Sequence, residues 1–175
     1  MDNNRGPAGD ERTSWPKRHE QTVAIAASAE EVFAYVDDHA RFSAHMNRSS
    51  WMMAGSLMQT EVDTGGGQRV GSHIRMNARV LGVQLSLDEV VTRHEPPYLK
   101  TWQTFGTPVL LVIGDYEMSV NVTRHPTHSL LRVSIDYSLP RRKAWIGRLF
   151  GGVYARWCVR QMIDGARQEF GLGRK

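Results

Sequence analysis

Glu89 combines residue type and spacing in the way that most suggests chemistry. In its strand-like run it alternates in step with Val83, Leu85, Leu87 and Val91, which turns its carboxyl group towards an apolar interior. A carboxylate there is harder to ionise than in water, and a carboxyl group with a raised pKa can give or take a proton near neutrality. Two other outcomes stay open. A one-residue bulge would turn Glu89 to solvent, and an arginine partner would make it purely structural. Tyr116 and Tyr137 fall on the apolar side of two later alternating runs. Each offers an apolar body with a polar tip that wants a partner.

Arg160 and Asp164 form a helical i,i+4 pair. On a straight helix they would reach the mouth of an interior pocket and orient an anionic head group. On a helix bent at Gly151-Gly152 they become an exposed ion pair worth a few tenths of a kcal/mol. The seven histidines are dispersed, and His125 with His128 sits on a turn without a nearby carboxylate. No metal site is expected. Cys158 lies mid-helix between Trp157 and Val159 with no activating neighbour, so it reads as inert. The glycines 65–67 precede a strand and therefore lack an anion-binding helix start. With no nucleophile elbow, phosphate loop or dinucleotide fingerprint in the chain, no cofactor is expected.

The elements that would position these groups follow from pattern. The 175 residues, 41% hydrophobic and 23% charged, have the size and composition of one ordinary globular domain. Residues 1–17 carry almost nothing to bury and read as a flexible tail before a domain over 18–175. A strand over 21–27 leads to Ser28, an N-cap with Glu31 three residues on, which makes a capping box. A helix through Val32, Phe33 and Val36 follows, then a second short helical turn over 39–45. Strands are expected over 51–62, 69–80, 83–93, 98–105, 110–124 and 129–139, broken by turn residues. Pro140 opens a long helix over 141–170. Its apolar stripe runs through Ile146, Leu149, Phe150, Val153 and Trp157, then moves to Val159, Met162, Ile163, Ala166 and Phe170. That offset predicts a bend at the two glycines. Strands and helices segregate in sequence, so the class is α+β.

The strand leading into SAEEVFAYVDD, the passage LDEVVTRHEPPYLKTW, the pair GDYEMSV and SIDYSLP, and the long last helix resemble the START/polyketide-cyclase superfamily, the helix-grip fold shared with birch-pollen allergens. The resemblance spans roughly residues 19–171. It implies a curved seven-stranded antiparallel sheet wrapped around the C-terminal helix, two short helices after strand 1, and a cavity between sheet and helix. The residues support a pocket independently, because Met53, Met76, Trp102, Met118, Trp157 and Met162 join the two tyrosines on the buried faces. Leu149, Val153 and Arg160 complete the expected ligand-facing set from the helix. Three functions follow in order: a carrier or sensor for a lipid, isoprenoid or polyketide-like molecule; a polyketide cyclase or dehydratase using Glu89, Tyr116 or Tyr137 for proton transfer; and an interaction module using its basic last helix.

The net charge of +4 is mild and comes largely from that helix. A solvated basic face explains it without nucleic acid. No run of about 20 apolar residues exists to span a bilayer, and no secretory signal is legible. With a lone cysteine this fits a cytoplasmic protein, free of stable membrane insertion and compatible with a homodimer.

Overall fold

The computed structural model describes residues 15–38, 41–42, 58–80, 83–141 and 144–172. Strand β1 (Lys17–Ile25) is followed by helix α1 (Ala29–Asp37) and by strands β2 (Met58–Val62), β3 (His73–Val80), β4 (Val83–Glu95), β5 (Leu99–Val109), β6 (Tyr116–Arg124) and β7 (Ser129–Tyr137). Helix α2 (Ala144–Leu172) ends the fold. The seven strands form one antiparallel sheet in the order β1-β7-β6-β5-β4-β3-β2. This is the helix-grip α+β architecture.

Local chemistry starts each element. At α1, the Ser28 backbone N–H donates to Glu31 Oε2 at 2.9 Å, and the Glu31 N–H returns to Ser28 Oγ at 3.3 Å. The capping box read from the sequence is therefore present, and it satisfies donors that a helix start leaves open. Val32, Phe33 and Val36 bury the inner side of α1. The hairpin joining β6 to β7 closes through His125 N–H to His128 C=O at 2.9 Å. The turn at Pro96-Pro97, a cis pair, carries Tyr98 N–H to Glu95 C=O at 2.9 Å.

Two expectations shift, at residues 110–115 and on the inner side of the last helix. Residues 110–115 form a loop rather than extending β6, and β5 instead runs on to Val109. Residues 51–57 of the strand expected over 51–62, and most of the second helical turn expected over 39–45, lie outside the described residues, although Arg41 and Phe42 are helical. α2 continues as one helix through Gly151-Gly152, and the shift there is in which residues it turns towards the sheet.

Its inner side is a single row: Gly147, Gly151, Ala155, Cys158, Val159, Met162, Ile163 and Ala166. The first half sits on the 110–115 loop through backbone. A Cβ on Gly147 would stand 2.4 Å from Pro140 Cδ and 3.0 Å from the Val112 carbonyl oxygen, and one on Gly151 would stand 3.1 Å from that same oxygen. Gly147 and Gly151 are points of close approach. Leu149, Phe150 and Val153, expected to face inwards, are consequently turned outwards.

Candidate functional site

The concave face of the sheet carries its side chains in layers fixed by strand register. One layer runs Tyr137, Tyr116, Thr104, Glu89 and Ile74 across β7, β6, β5, β4 and β3. The next holds Ile135, Met118, Trp102 and Val91, all buried. A third holds Val133, Val120, Lys100 and His94. The face thus alternates a carboxyl–phenol layer, an apolar layer and an ionic layer.

Glu89 is 2% exposed, and the inward orientation expected from alternation is what the structure shows. A register shift does occur in β4, between Ser86 and Asp88, but Glu89 remains inward opposite Thr104. The Tyr116 hydroxyl donates to Glu89 Oε1 from two strands away. The Trp102 indole N–H donates to the same carboxyl group. Burial pushes the Glu89 pKa up to about 7, against the opposing pull of those two hydrogen bonds and of the Lys100 charge. At neutral pH the group therefore exists in both protonation states. Burial, and the neighbouring Glu89 carboxylate, hold the Tyr116 phenol well above its ordinary range, so it stays a donor. From α2, Tyr154 and Cys158 share a hydrogen bond one helical turn apart and lie within electrostatic reach of Glu89. Burial pushes the Cys158 thiol up to about 12, which keeps it neutral.

The ionic layer had not been expected. Lys100 is fully buried; its Nζ donates to Asp37 Oδ1 at 3.0 Å and to the Asp37 carbonyl at 2.9 Å. That carbonyl ends α1, where a cation completes an otherwise open acceptor. His94 Nε2 donates to both Asp37 carboxylate oxygens at 3.0 Å. Burial lowers the Lys100 pKa, and Asp37 opposes the shift. A signal for Lys100 existed, since it shares parity with Trp102. His94 carried none, because the register shift between Val91 and Arg93 moves it from the outer to the inner side.

Other expected site residues scatter. Met76, Trp102 and Met118 are buried on the concave face, and Tyr137 is buried opposite Tyr116. Trp157 is half-buried beside Tyr154. Leu149 and Val153 lie on the solvent side of α2, at 63% and 47% exposure. The Arg160 side chain is also exposed, 3.5 Å from Asp164, so this is the surface pair and not a pocket-mouth clamp. Met53 lies outside the described residues. His125 and His128 stack with ring centroids 4.8 Å apart, at the rim of an open surface cleft of about 760 Å³. Among the described residues no three His, Cys, Asp or Glu side chains converge as a metal-ligand set.

Residues 17–168 match the model of the family described as polyketide cyclase / dehydrase and lipid transport. The chain belongs to that family. Solved structures agree on the fold. Norcoclaurine synthase from Thalictrum flavum, in complex with dopamine and hydroxybenzaldehyde, is similar at 14% identity and a TM-score of 0.63, over 97% of this chain and 96% of that one. The di-domain ARO/CYC StfQ of the steffimycin biosynthetic pathway is similar at 8% identity and a TM-score of 0.64, over 88% of this chain and 50% of that one. Ara h 8.0201 is similar at 9% identity and a TM-score of 0.57, over 87% of this chain and 98% of that one. No curated protein sequence matches the chain significantly.

Proposed function

We propose that this family member binds a hydrophobic small molecule between sheet and helix and performs acid–base chemistry on it, as a cyclase or dehydratase would. The observation that carries this reading is Glu89: a buried carboxyl group with a pKa of about 7, held by Tyr116 and Trp102. As a carboxylate it would remove a proton next to a ketone. As a carboxylic acid it would protonate a departing hydroxyl, so that water leaves and a double bond forms. Tyr116 remains protonated and donates to whichever oxygen gathers charge. Met76, Trp102 and Met118 supply an apolar wall of the kind an aromatic or polyketide-like molecule would pack against. The neighbours named for norcoclaurine synthase and ARO/CYC make aromatic small molecules the first class to try.

The carrier reading, for a lipid or isoprenoid, is favoured by one observation: the layer of Ile135, Met118, Trp102 and Val91 is wholly apolar. Native mass spectrometry of protein purified from cells addresses both, since each expects a retained small molecule. With that molecule or its precursor as substrate, Glu89→Gln is expected to abolish turnover while leaving retention intact. Full turnover by the variant would remove the acid–base reading and leave the carrier. Protein that is empty and fails to bind anilinonaphthalene sulfonate in its interior would remove both.

A further inference from the structure

The outward side of α2 carries a row of large apolar residues that the fold leaves uncovered. Trp145, Leu149 and Val153 recur at i, i+4 and i+8 and are 64%, 63% and 47% exposed, while Phe150, also exposed, runs alongside. This row lies opposite Gly147 and Gly151, through which the helix rests on its loop. Exposed Val109 and Leu111 lie on the adjoining segment. Large apolar residues exposed at helical spacing along one side of a helix mark an interaction site.

Charge identifies what it meets. From residue 138 to residue 163 the sequence has six cations, Arg141, Arg142, Lys143, Arg148, Arg156 and Arg160, and no acidic residue. Arg156 and Arg160 continue the row of Trp145, Leu149 and Val153, and Arg148 flanks it; all three are exposed. The first carboxylate on α2 is Asp164, which pairs with Arg160 and Arg167 at the far end of the helix. A helix lying in a bilayer interface uses the same layout: Trp, Phe and Leu at headgroup depth and arginines towards anionic phosphates. No described helix is long and apolar enough to cross a membrane.

We propose that the first half of α2 is a peripheral docking surface for an anionic lipid bilayer, with Trp145, Leu149 and Val153 immersed at the interface and Arg148 and Arg156 on lipid phosphates. This goes beyond the proposed chemistry and does not depend on Glu89. The test is co-sedimentation of the full chain with vesicles of phosphatidylcholine, with and without phosphatidylserine. Binding is expected only with phosphatidylserine and is expected to weaken as salt is raised. Arg148→Glu with Arg156→Glu should lower the partition coefficient by more than about tenfold, and Trp145→Ala with Leu149→Ser should do the same even at low salt. Circular dichroism and melting temperature check that both variants remain folded. Equal partition onto neutral and anionic vesicles, or none onto either, would overturn the proposal. So would a concentration-dependent dimer that Leu149→Ser dissociates, because the strip would then be a self-association surface.

Discussion

The two polar layers of the concave face handle buried charge in opposite ways. The Lys100 layer collects one carboxylate, one ammonium and one imidazole around Asp37, so each charge meets a partner within 3.0 Å. The Glu89 layer sets one carboxyl group among neutral donors, Tyr116 and Trp102, with the Lys100 charge felt only at a distance. An apolar layer with Trp102 at its centre separates them, and the Lys100 Nζ is 5.9 Å from that ring's centroid. The paired cluster anchors α1 to the sheet. A lone carboxyl group among phenols is left to change protonation near neutrality. The difference separates an ion-paired network from a carboxyl group held by neutral donors, within one sheet face.

The largest expected effect tests the balanced cluster. Lys100→Ala leaves the buried Asp37 carboxylate without its ammonium, a loss of about 3–5 kcal/mol in urea unfolding. Replacing both partners, Lys100→Met with Asp37→Leu, should recover most of that loss, because matched apolar residues avoid the desolvation of both charges. If the double variant were as unstable as the single one, the cluster would have to be stabilising in its own right.

The next effect belongs to Glu89 and depends on pH. Its pKa is raised from 4.5 to about 7 in the folded chain. Its contribution to stability is therefore full below about pH 4.5 and is lost as pH rises to about 7, because unfolding lets the carboxylate ionise in water. Relative to Glu89→Gln, the wild-type chain should lose about 3 kcal/mol across that window. Unfolding curves at both ends of it decide the matter; a constant difference would mean that Glu89 titrates normally. A ¹³C NMR titration of the carboxyl group is a direct check.

Smaller effects concern what covers the layers. Gly147→Ala should destabilise by about 1–3 kcal/mol through its clash at Pro140, despite the better helix propensity of alanine. Gly152→Ala, whose Cβ would meet only the Tyr137 hydroxyl at 3.8 Å, should instead gain up to about 1 kcal/mol. Thermal melts of the pair read the contrast directly. Smallest of all, Arg160→Ala should change stability by no more than about 0.5 kcal/mol, as expected of an exposed i,i+4 pair.

The sheet was legible because its inner strands obey period two: buried Tyr116, Met118, Val120 and Val122 alternate with half-buried neighbours, and the long terminal helix announced itself by length. Glu89 followed from the same alternation. What stayed hidden arises where alternation breaks or where small residues do the packing. The register shift beyond Val91 brought His94 inward, and no residue type signals that shift. The inner row of α2 begins with glycines, so hydrophobicity pointed to Leu149 and Val153 on the wrong side. Asp37 sits at the end of α1, and its role as a counter-charge depends on Lys100, 63 residues further on.

Strand order carries a consequence for how the chain acquires its structure. Among the described residues β1 lies at one sheet edge and pairs only with β7, the last described strand in sequence, as the Arg18–Asp136 contact across 118 residues records. Its hydrogen-bonding groups must wait for almost the whole sheet to exist before they find partners. Closing so long a loop is entropically demanding and slow. On the ribosome the nascent chain therefore holds β1 without its β7 partner until residues 129–137 emerge, and a ribosome stalled before β7 would hold β1 as an open edge.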